Sequence, residues 1–276
     1  MKKKVKYSAG IAAIVLGGLL WLASGGFGEN APAVPDNPSA PVPAQTISAS
    51  MELPSQAGGR TVAHDAYVSS YNTRTLIPDW VAYELTAEEA EGRRDRGGIE
   101  FKMDPDLRGV TQAMREDYSG SGWTKGHMMP AADAAFSSSA MEETFYFTNI
   151  CPQNETLNAG DWQYLEKRVR SWAKRYGKVW VATGPIVGRN KYGKIGDRHV
   201  VIPDSFFKAL LIRRPDGSYS SVAFVMDNDE ERYFLKDCYM SVDELEALTG
   251  LDFFPALDDR IEEKVEGTVK KADWGL

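Results

Sequence analysis

The amino-acid sequence predicts one globular domain of mixed α/β or α+β class that begins near residue 60. Three observations predict it: several runs of strand-like apolar residues, one strongly amphipathic helix among them, and no internal repeat or second linker. The composition, 43% hydrophobic and 26% charged, is that of a globular protein. A net charge of −7 argues against a protein that coats nucleic acid, but it allows an enzyme with a locally basic cleft.

The N-terminal segment predicts a targeting element. Lysines precede an uncharged apolar stretch about long enough to cross a bilayer, so we expect residues 1–28 to be a signal peptide or a membrane anchor. The remainder would then lie outside the cytoplasm, either anchored to the membrane or periplasmic or secreted. Residues 29–60 are rich in Pro, Ala and Ser and predict a linker, which leaves residues 61–276 as the folded domain.

The predicted strands share alternating or continuous apolar residues bounded by turn-forming residues. They are 80–86, 141–153, 178–188, 199–214 and 219–228. Residues 88–107 are charged, contain glycines and predict a loop. The clearest helix is 158–177, in which apolar residues recur at helical spacing before a final glycine. A second helix is expected at 241–250, which opens with a Ser-x-x-Glu capping box and ends in glycine.

The chain has two cysteines, Cys151 and Cys238. They could form one disulfide or remain two separate buried thiols, and the sequence favours neither, because it does not reveal the geometry that a bridge requires. Neither cysteine lies in a C-x-x-C pair, so no zinc site is predicted.

Three polar residues form a candidate site. His127 follows a glycine, Asn158 opens the long helix, and Glu166 lies eight residues further on, which on an α-helix is about 80° around the axis. Each has an ordinary structural explanation: a buried histidine, a helix cap, and a glutamate paired with Arg170 one turn away. A carboxylate beside the apolar stripe of a helix, however, needs a partner, water or a metal ion.

The stretch 117–170 resembles the DNA/RNA non-specific endonucleases of the ββα-metal (His-Me finger) type, and the resemblance extends over most of residues 61–265. The family motif is Asp-Arg-Gly-His, then Pro-Ala, "TFY", Asn-x-x-Pro-Gln, and an Asn followed by Trp and "LE". This chain matches it at His127, Thr144, Phe145, Tyr146, Asn149, Pro152, Gln153, Asn158, Trp162, Leu165 and Glu166. The resemblance implies an α+β fold with a mixed or antiparallel central sheet flanked by helices.

The resemblance further implies a metal-dependent endonuclease that hydrolyses DNA and RNA with little sequence specificity. His127 would be the general base. Asn158 would bind one hydrated Mg²⁺, with Mn²⁺ as the alternative ion, and Glu166 would hold the waters of that ion. A narrower nucleotide phosphodiesterase and a weakly active nucleic-acid-binding surface module are the competing hypotheses.

A phosphate contact is expected from a positive side chain. Among Arg93, Arg94 and Arg96 we choose Arg96, and Lys125 is a second candidate; a solvated loop is the alternative for this arginine cluster. Asn149 would support the site by hydrogen bonding or would simply form a turn. Basic residues on the long helix and after the next strand predict a basic track and salt-sensitive cleavage. They are Lys167, Arg168, Arg170, Lys174, Arg175, Arg189, Lys191 and Lys194.

The chain departs from the family motif at one place. Thr124 and Lys125 stand where the family usually has Asp and Arg. Lysine keeps the positive charge but lacks the planar fork that grips phosphate with two bonds, and threonine removes a carboxylate. We therefore expect activity to be weaker than in the family, or its preferred conditions to be shifted.

Overall fold

A seven-stranded antiparallel sheet runs through the centre of the computed structural model, which describes residues 50–55 and 58–276. Its strand order is β1-β2-β3-β6-β9-β10-β11, and two small two-stranded sheets, β4-β5 and β7-β8, accompany it. The strands are β1 Arg60–Ala63, β2 Val68–Asn72, β3 Ile77–Thr86, β4 Thr124–His127, β5 Ile150–Gln153, β6 Lys178–Ile186, β7 Lys194–Ile195, β8 Val200–Val201, β9 Ser205–Arg213, β10 Tyr219–Asp227 and β11 Tyr239–Met240.

The helices are short apart from one. They are α1 Arg115–Tyr118, α2 Ser138–Glu143, α3 Glu155–Leu157, α4 Gln163–Tyr176, α5 Leu235–Cys238, α6 Val242–Thr249, α7 Asp259–Glu266 and α8 Lys271–Trp274. A π-helical turn, Asn158–Trp162, joins α3 to α4. Single 3-10 turns lie at Glu89–Glu91, Pro105–Leu107 and Phe147–Asn149.

The sheet separates two hydrophobic cores, because side chains alternate between its faces along each strand. In β3, Val81 and Tyr83 belong to the core that contains the buried face of α4. Trp80 and Ala82 belong to the other core, which is covered by α6 and α7. The alternating pattern of the strands and the helical pattern of α4 and α6 therefore predict a sheet with helices packed on its two faces.

Most of the predicted elements are confirmed. The strands at 80–86, 178–188 and 219–228 correspond to β3, β6 and β10. The capping box of α6 is formed by Ser241 and Glu244, and Gly250 ends that helix in the left-handed conformation, where glycine is unstrained. The segment 88–107 is mostly loop, with 3-10 turns near its ends.

Two predicted strands are wrong in extent. In 141–153 only 150–153 is strand, because the Ser137 hydroxyl caps a short helix that runs to Glu143, and a 3-10 turn follows. In 199–214 the strand breaks at Pro203, which has no N–H to donate to a ladder. The next residue, Asp204, accepts backbone hydrogen bonds from Gly188, Arg189 and Lys191, and it thereby anchors the loop that follows β6.

Both cysteines are free and buried, so the two-thiol alternative is the one observed. The end of the predicted linker lies against the domain: Ser55 N donates to the Asp252 carbonyl at 2.7 Å, and Leu53 is partly buried against the core beneath α6 and α7. Residues 1–49 lie outside the described residues.

Candidate active site

The candidate site is built from β4, β5 and the helical segment that follows them. The two strands pair antiparallel, with Thr124 opposite Gln153 and His127 opposite Ile150. Gly126 lies opposite Cys151, and a Cβ at this position would collide with the Gln153 side chain. Only glycine allows that side chain to lie across the strand, which explains the residue before His127.

The orientation of the Asn158 side chain is fixed by Thr124. The Thr124 hydroxyl donates to the Gln153 carbonyl at 2.7 Å, and the Asn158 Nδ2 donates to the same hydroxyl at 3.0 Å. A carbonyl can only accept, so the hydroxyl proton is used there and Thr124 can only accept from Asn158. The Asn158 group that faces Thr124 must therefore be its NH₂, which leaves the amide oxygen available to a ligand.

His127 is the last residue of β4, and aromatic rings pack around its side chain. Its ring centroid lies 5.5 Å from that of Phe101 and 5.0 Å from that of Phe145, the latter edge-on. Its Nε2 atom is buried and has no hydrogen-bond partner among the described residues. Burial, and then the positive charge of Arg96, lower the pKa of His127 to about 3, so the imidazole is neutral at pH 7.

Glu166, which is partly buried, lies in a cluster of charges formed by α4, the central sheet and the loop after β4. Asp133 is fully buried, accepts from the Tyr83 hydroxyl at 2.8 Å and forms an ion pair with Arg170 at 2.6 Å. Burial raises the pKa of the Glu166 carboxyl, and the positive charge of Lys208 is the largest effect that opposes it. The sequence suggested Arg170 as a partner of Glu166. In the structure the ion-pair partner of Arg170 is Asp133.

Lys208 is the second cation of this cluster, besides Arg170. It lies in the middle of β9, is fully buried, and places its ammonium 5.0 Å from the centroid of the Trp162 ring. Its Nζ has no hydrogen-bond partner among the described residues. Burial lowers the pKa of Lys208, while the negative charges of Glu166 and Asp133 raise it.

The structure distinguishes between the candidate phosphate-binding residues. Arg94 is committed elsewhere, because its guanidinium donates to the Phe136 carbonyl and the Ser138 hydroxyl. Arg96 is exposed, and its charge acts on His127. Lys125 holds its ammonium 5.4 Å from the ring centroids of both Phe101 and Tyr118, so it lies over the same Phe101 ring that borders His127.

Asn149 is buried and uses its side chain on the backbone. Its Oδ1 accepts from Met129 N at 2.8 Å, and its Nδ2 donates to the carbonyls of Met129 and Thr144. These bonds hold the segment that directly follows His127. Asn149 is also the last residue of the 3-10 turn Phe147–Asn149, so the supporting role and the turn-forming role both stay predictions.

The polar atoms around Asn158 suit a hydrated divalent cation. The Gln153 side chain is fully buried, and neither its Oε1 nor its Nε2 has a partner among the described residues. Buried amide atoms of this kind are normally satisfied by water when protein partners are lacking. An available amide oxygen and places for ordered water match the oxygen ligands and retained waters that Mg²⁺ prefers.

The predicted basic track is interrupted by ion pairs. Four of its residues contact carboxylates at 2.6 to 3.9 Å, namely Arg170, Lys174, Arg189 and Lys191. Arg168 donates to the carbonyl of Trp274, and Lys167 donates to Gln163. Arg96, by contrast, acts on the pKa of His127 through its charge, and Lys125 shares the Phe101 ring with His127.

Sequence reasoning missed the buried charge cluster and the side chain of Gln153. Lys208 could have been noticed, since it is a charged residue inside the apolar run of a strand. Asp133 gave no such signal, because it follows "PAA" in a segment with no clear period.

A sequence model of the family described as DNA/RNA non-specific endonuclease matches residues 45–260. The mouse mitochondrial nuclease EXOG is 37% identical over 216 residues, which cover 73% of this chain and 59% of that protein. Human mitochondrial endonuclease G is 34% identical over 204 residues, 70% of this chain and 69% of that protein. This chain thus spans less than two thirds of the mouse relative.

A solved structure agrees with the fold. The structure titled as the EndoG/EndoGI complex and the mechanism of EndoG inhibition matches with a TM-score of 0.70 and 28% identity. The match covers 77% of this chain and 91% of the other. The α+β fold with an antiparallel sheet and flanking helices is confirmed.

The expectation of export or membrane anchorage is corrected. The mouse and human relatives are both named as mitochondrial nucleases, which does not agree with a chain directed out of the cytoplasm by residues 1–28. Those residues lie outside the described part of the chain. Within residues 50–55 and 58–276, no helix is long and apolar enough to cross a bilayer.

Proposed function

We propose, because this chain belongs to the DNA/RNA non-specific endonuclease family, that it is a divalent-metal-dependent endonuclease that cleaves phosphodiester bonds of DNA and RNA with little sequence preference. The observation that carries the proposal is the hydrogen-bond chain from Asn158 through Thr124 to the Gln153 carbonyl. Because the NH₂ group faces Thr124, the Asn158 oxygen, a hard ligand, faces away from β4 and is available to a metal ion.

The residues that would hold the metal are Asn158 and Glu166. We assign Mg²⁺, with Mn²⁺ as the substitute, because the ligands are oxygen atoms and the site offers places for ordered water. A bound ion would supply positive charge to the phosphate and to the leaving oxygen. Glu166 would orient the waters of that ion from outside the direct ligand set.

His127 would remove the proton from the attacking water. Its low pKa keeps it in the base form at neutral pH, although it makes the free imidazole a weak base. A phosphodiester bound beside Arg96 would offset the guanidinium charge, the smaller of the two causes, and so raise the pKa of His127. Arg96 and Lys125 would bind the phosphate as cations, and Asn149 would position the chain after His127.

Supercoiled plasmid and single-stranded RNA, incubated with the full chain in EDTA and then in excess Mg²⁺ or Mn²⁺, test the proposal. We expect both substrates to be cut only with the metal, and His127→Ala to lose at least about 100-fold in rate. His199→Asn is the matched control, because His199 is exposed with a left-handed backbone that asparagine tolerates. Equal cleavage in EDTA would refute the metal-dependent reaction.

A further inference from the structure

A second group of oxygen ligands lies on the face of the sheet opposite to α4. Asp243 and Glu246 on α6 and Glu266 at the end of α7 each bring a carboxylate oxygen to within 4.8 Å of the other two. The two helices pack on the core that contains Val242, Leu245 and Val265. This acidic site is therefore separate from the candidate active site.

Glu266 is the unusual member of the acidic site. Its side chain points inward, the residue is only 4% exposed, and its Oε1 has no hydrogen-bond partner among the described residues. None of the three carboxylates forms an ion pair with a lysine, arginine or histidine in the part of the chain that the structure describes. A buried carboxylate without a cation or a donor is costly, so something must compensate it.

The residues around Glu266 add further negative charge. Two further carboxylates, Glu262 and Asp252, act on Glu266 in addition to Glu246 and Asp243. The position of Glu246 is fixed, because its Oε1 accepts from Phe253 N at 2.8 Å. Five carboxylates thus converge where α6, the loop after it and α7 meet, and one of them is held inside.

We propose that Asp243, Glu246 and Glu266 bind a calcium ion. Ca²⁺ takes six to eight oxygen ligands in irregular geometry, which carboxylates on two separate helices can provide. Asp243 is exposed, so water can reach the ion and complete its coordination. Mg²⁺ suits this site less well, because it requires near-ideal octahedral geometry and gives up its waters reluctantly.

The bound ion would fasten α7 to α6. The Val265 carbonyl, beside Glu266, already accepts from the Ser221 hydroxyl of β10 at 2.7 Å, so the end of α7 is fixed to the sheet as well. The site is thus a structural clip, and its expected effect is on stability rather than on cleavage. The competing explanation is a proton: burial and the neighbouring carboxylates raise the pKa of Glu266 to about 9, so the group could stay neutral without a metal.

Thermal unfolding of the full chain distinguishes the two explanations. After removal of metals with EDTA and dialysis at pH 8, Ca²⁺ at about 100 times its dissociation constant should raise the Tm of the wild type by roughly 5 °C. Glu266→Gln should fold and lose this rise, because glutamine keeps the shape but removes the charge. Glu263→Gln, on the exposed side of the same helix, and Asn158→Ala, in the candidate active site, should both retain it.

Calcium titration by calorimetry gives a second measurement, with one site expected in Asn158→Ala and none in Asn158→Ala combined with Glu266→Gln. A Tm of the wild type that Ca²⁺ leaves unchanged would overturn the proposal in favour of a protonated Glu266. A Ca²⁺-dependent rise that persists in Glu266→Gln would overturn it by placing the ion elsewhere.

Discussion

Thr124→Val removes one oxygen atom and tests how the Asn158 side chain is oriented. The Thr124 hydroxyl is the link between Asn158 Nδ2, at 3.0 Å, and the Gln153 carbonyl, at 2.7 Å. Valine has nearly the same shape but can neither accept nor donate. The Asn158 amide then loses the group that decides which of its ends faces away from β4.

The expected loss of metal affinity is larger than that from amide flipping alone. An amide that presents its oxygen half of the time would weaken metal binding only about twofold. Removal of a group that orients a ligand typically costs about 10- to 100-fold in metal affinity, because the rotamer is released as well. Thr124→Val also loses two hydrogen bonds, each worth about 1 kcal/mol, so we expect the free energy of unfolding to fall by about 2 kcal/mol. We therefore expect the Mg²⁺ concentration for half-maximal rate to rise about 10-fold or more.

Plasmid nicking measured over a range of Mg²⁺ concentrations checks this expectation, with the rate at saturating Mg²⁺ falling less than the affinity. Thr124→Ser keeps the hydroxyl and should restore the wild-type dependence. Thr183→Val is the matched control, because it removes a buried threonine hydroxyl that donates to the Phe207 carbonyl within the central sheet. An unchanged Mg²⁺ dependence in Thr124→Val, with Thr183→Val equally unchanged, would refute the assigned role of Thr124.

Arg96→Ala should raise KM for DNA about 10-fold, as expected for a lost charged hydrogen bond, whereas Arg94→Ala should leave KM unchanged because its guanidinium is bonded to the chain; equal effects in steady-state assays would contradict this distinction. Lys208→Met removes a charge that lowers the pKa of Glu166, so the pKa rises and the acidic limb of the rate–pH profile should move to higher pH; an unmoved limb would argue against the coupling. Because both cysteines are free, a reducing agent should leave the Tm unchanged in calorimetry, and a lower Tm would indicate a bridge. Cleavage should slow steeply with added salt, since phosphate binding displaces counterions, and a flat salt dependence would argue against it.

The sheet could be predicted from sequence where local pattern and tertiary environment agree. The predicted strands that became β3, β6 and β10 are examples of this agreement. The predicted helix α6, with its capping box and final glycine, is another. The failure at 141–153 has a physical reason: α2 has six residues, too few for a helical period to be visible, and its cap at Ser137 looks like any polar loop residue. Two of the aromatic residues that follow, Phe145 and Phe147, are buried although they do not belong to a strand.

The members of the candidate site were recognisable from the motif, but their spatial relation was not. The estimate for Asn158 and Glu166 assumed eight α-helical steps, whereas the structure inserts a π-helical turn with a non-helical Gly160 (φ −112°, ψ −106°) between them. A π turn accommodates about one more residue than an α turn, so the assumed angle between the two side chains does not apply. Asp161 in this turn accepts from the Arg232 guanidinium and from Tyr233 N, and contacts with residues so distant along the chain have no signature in the local sequence.

The replacement of the motif aspartate by Thr124 changes in meaning once the hydrogen bonds are known. A carboxylate at 124 could accept from the Asn158 amide, but it has no proton for the Gln153 carbonyl, which lies 2.7 Å from the present hydroxyl. Threonine satisfies both neighbours, so this strand pair is adapted to a hydroxyl. Thr124→Asp alone would place two acceptors against each other, and it should therefore lower the rate of cleavage, contrary to what the family motif suggests. A higher rate in Thr124→Asp, measured at saturating Mg²⁺, would show that the Gln153 carbonyl finds another donor and that threonine is a handicap.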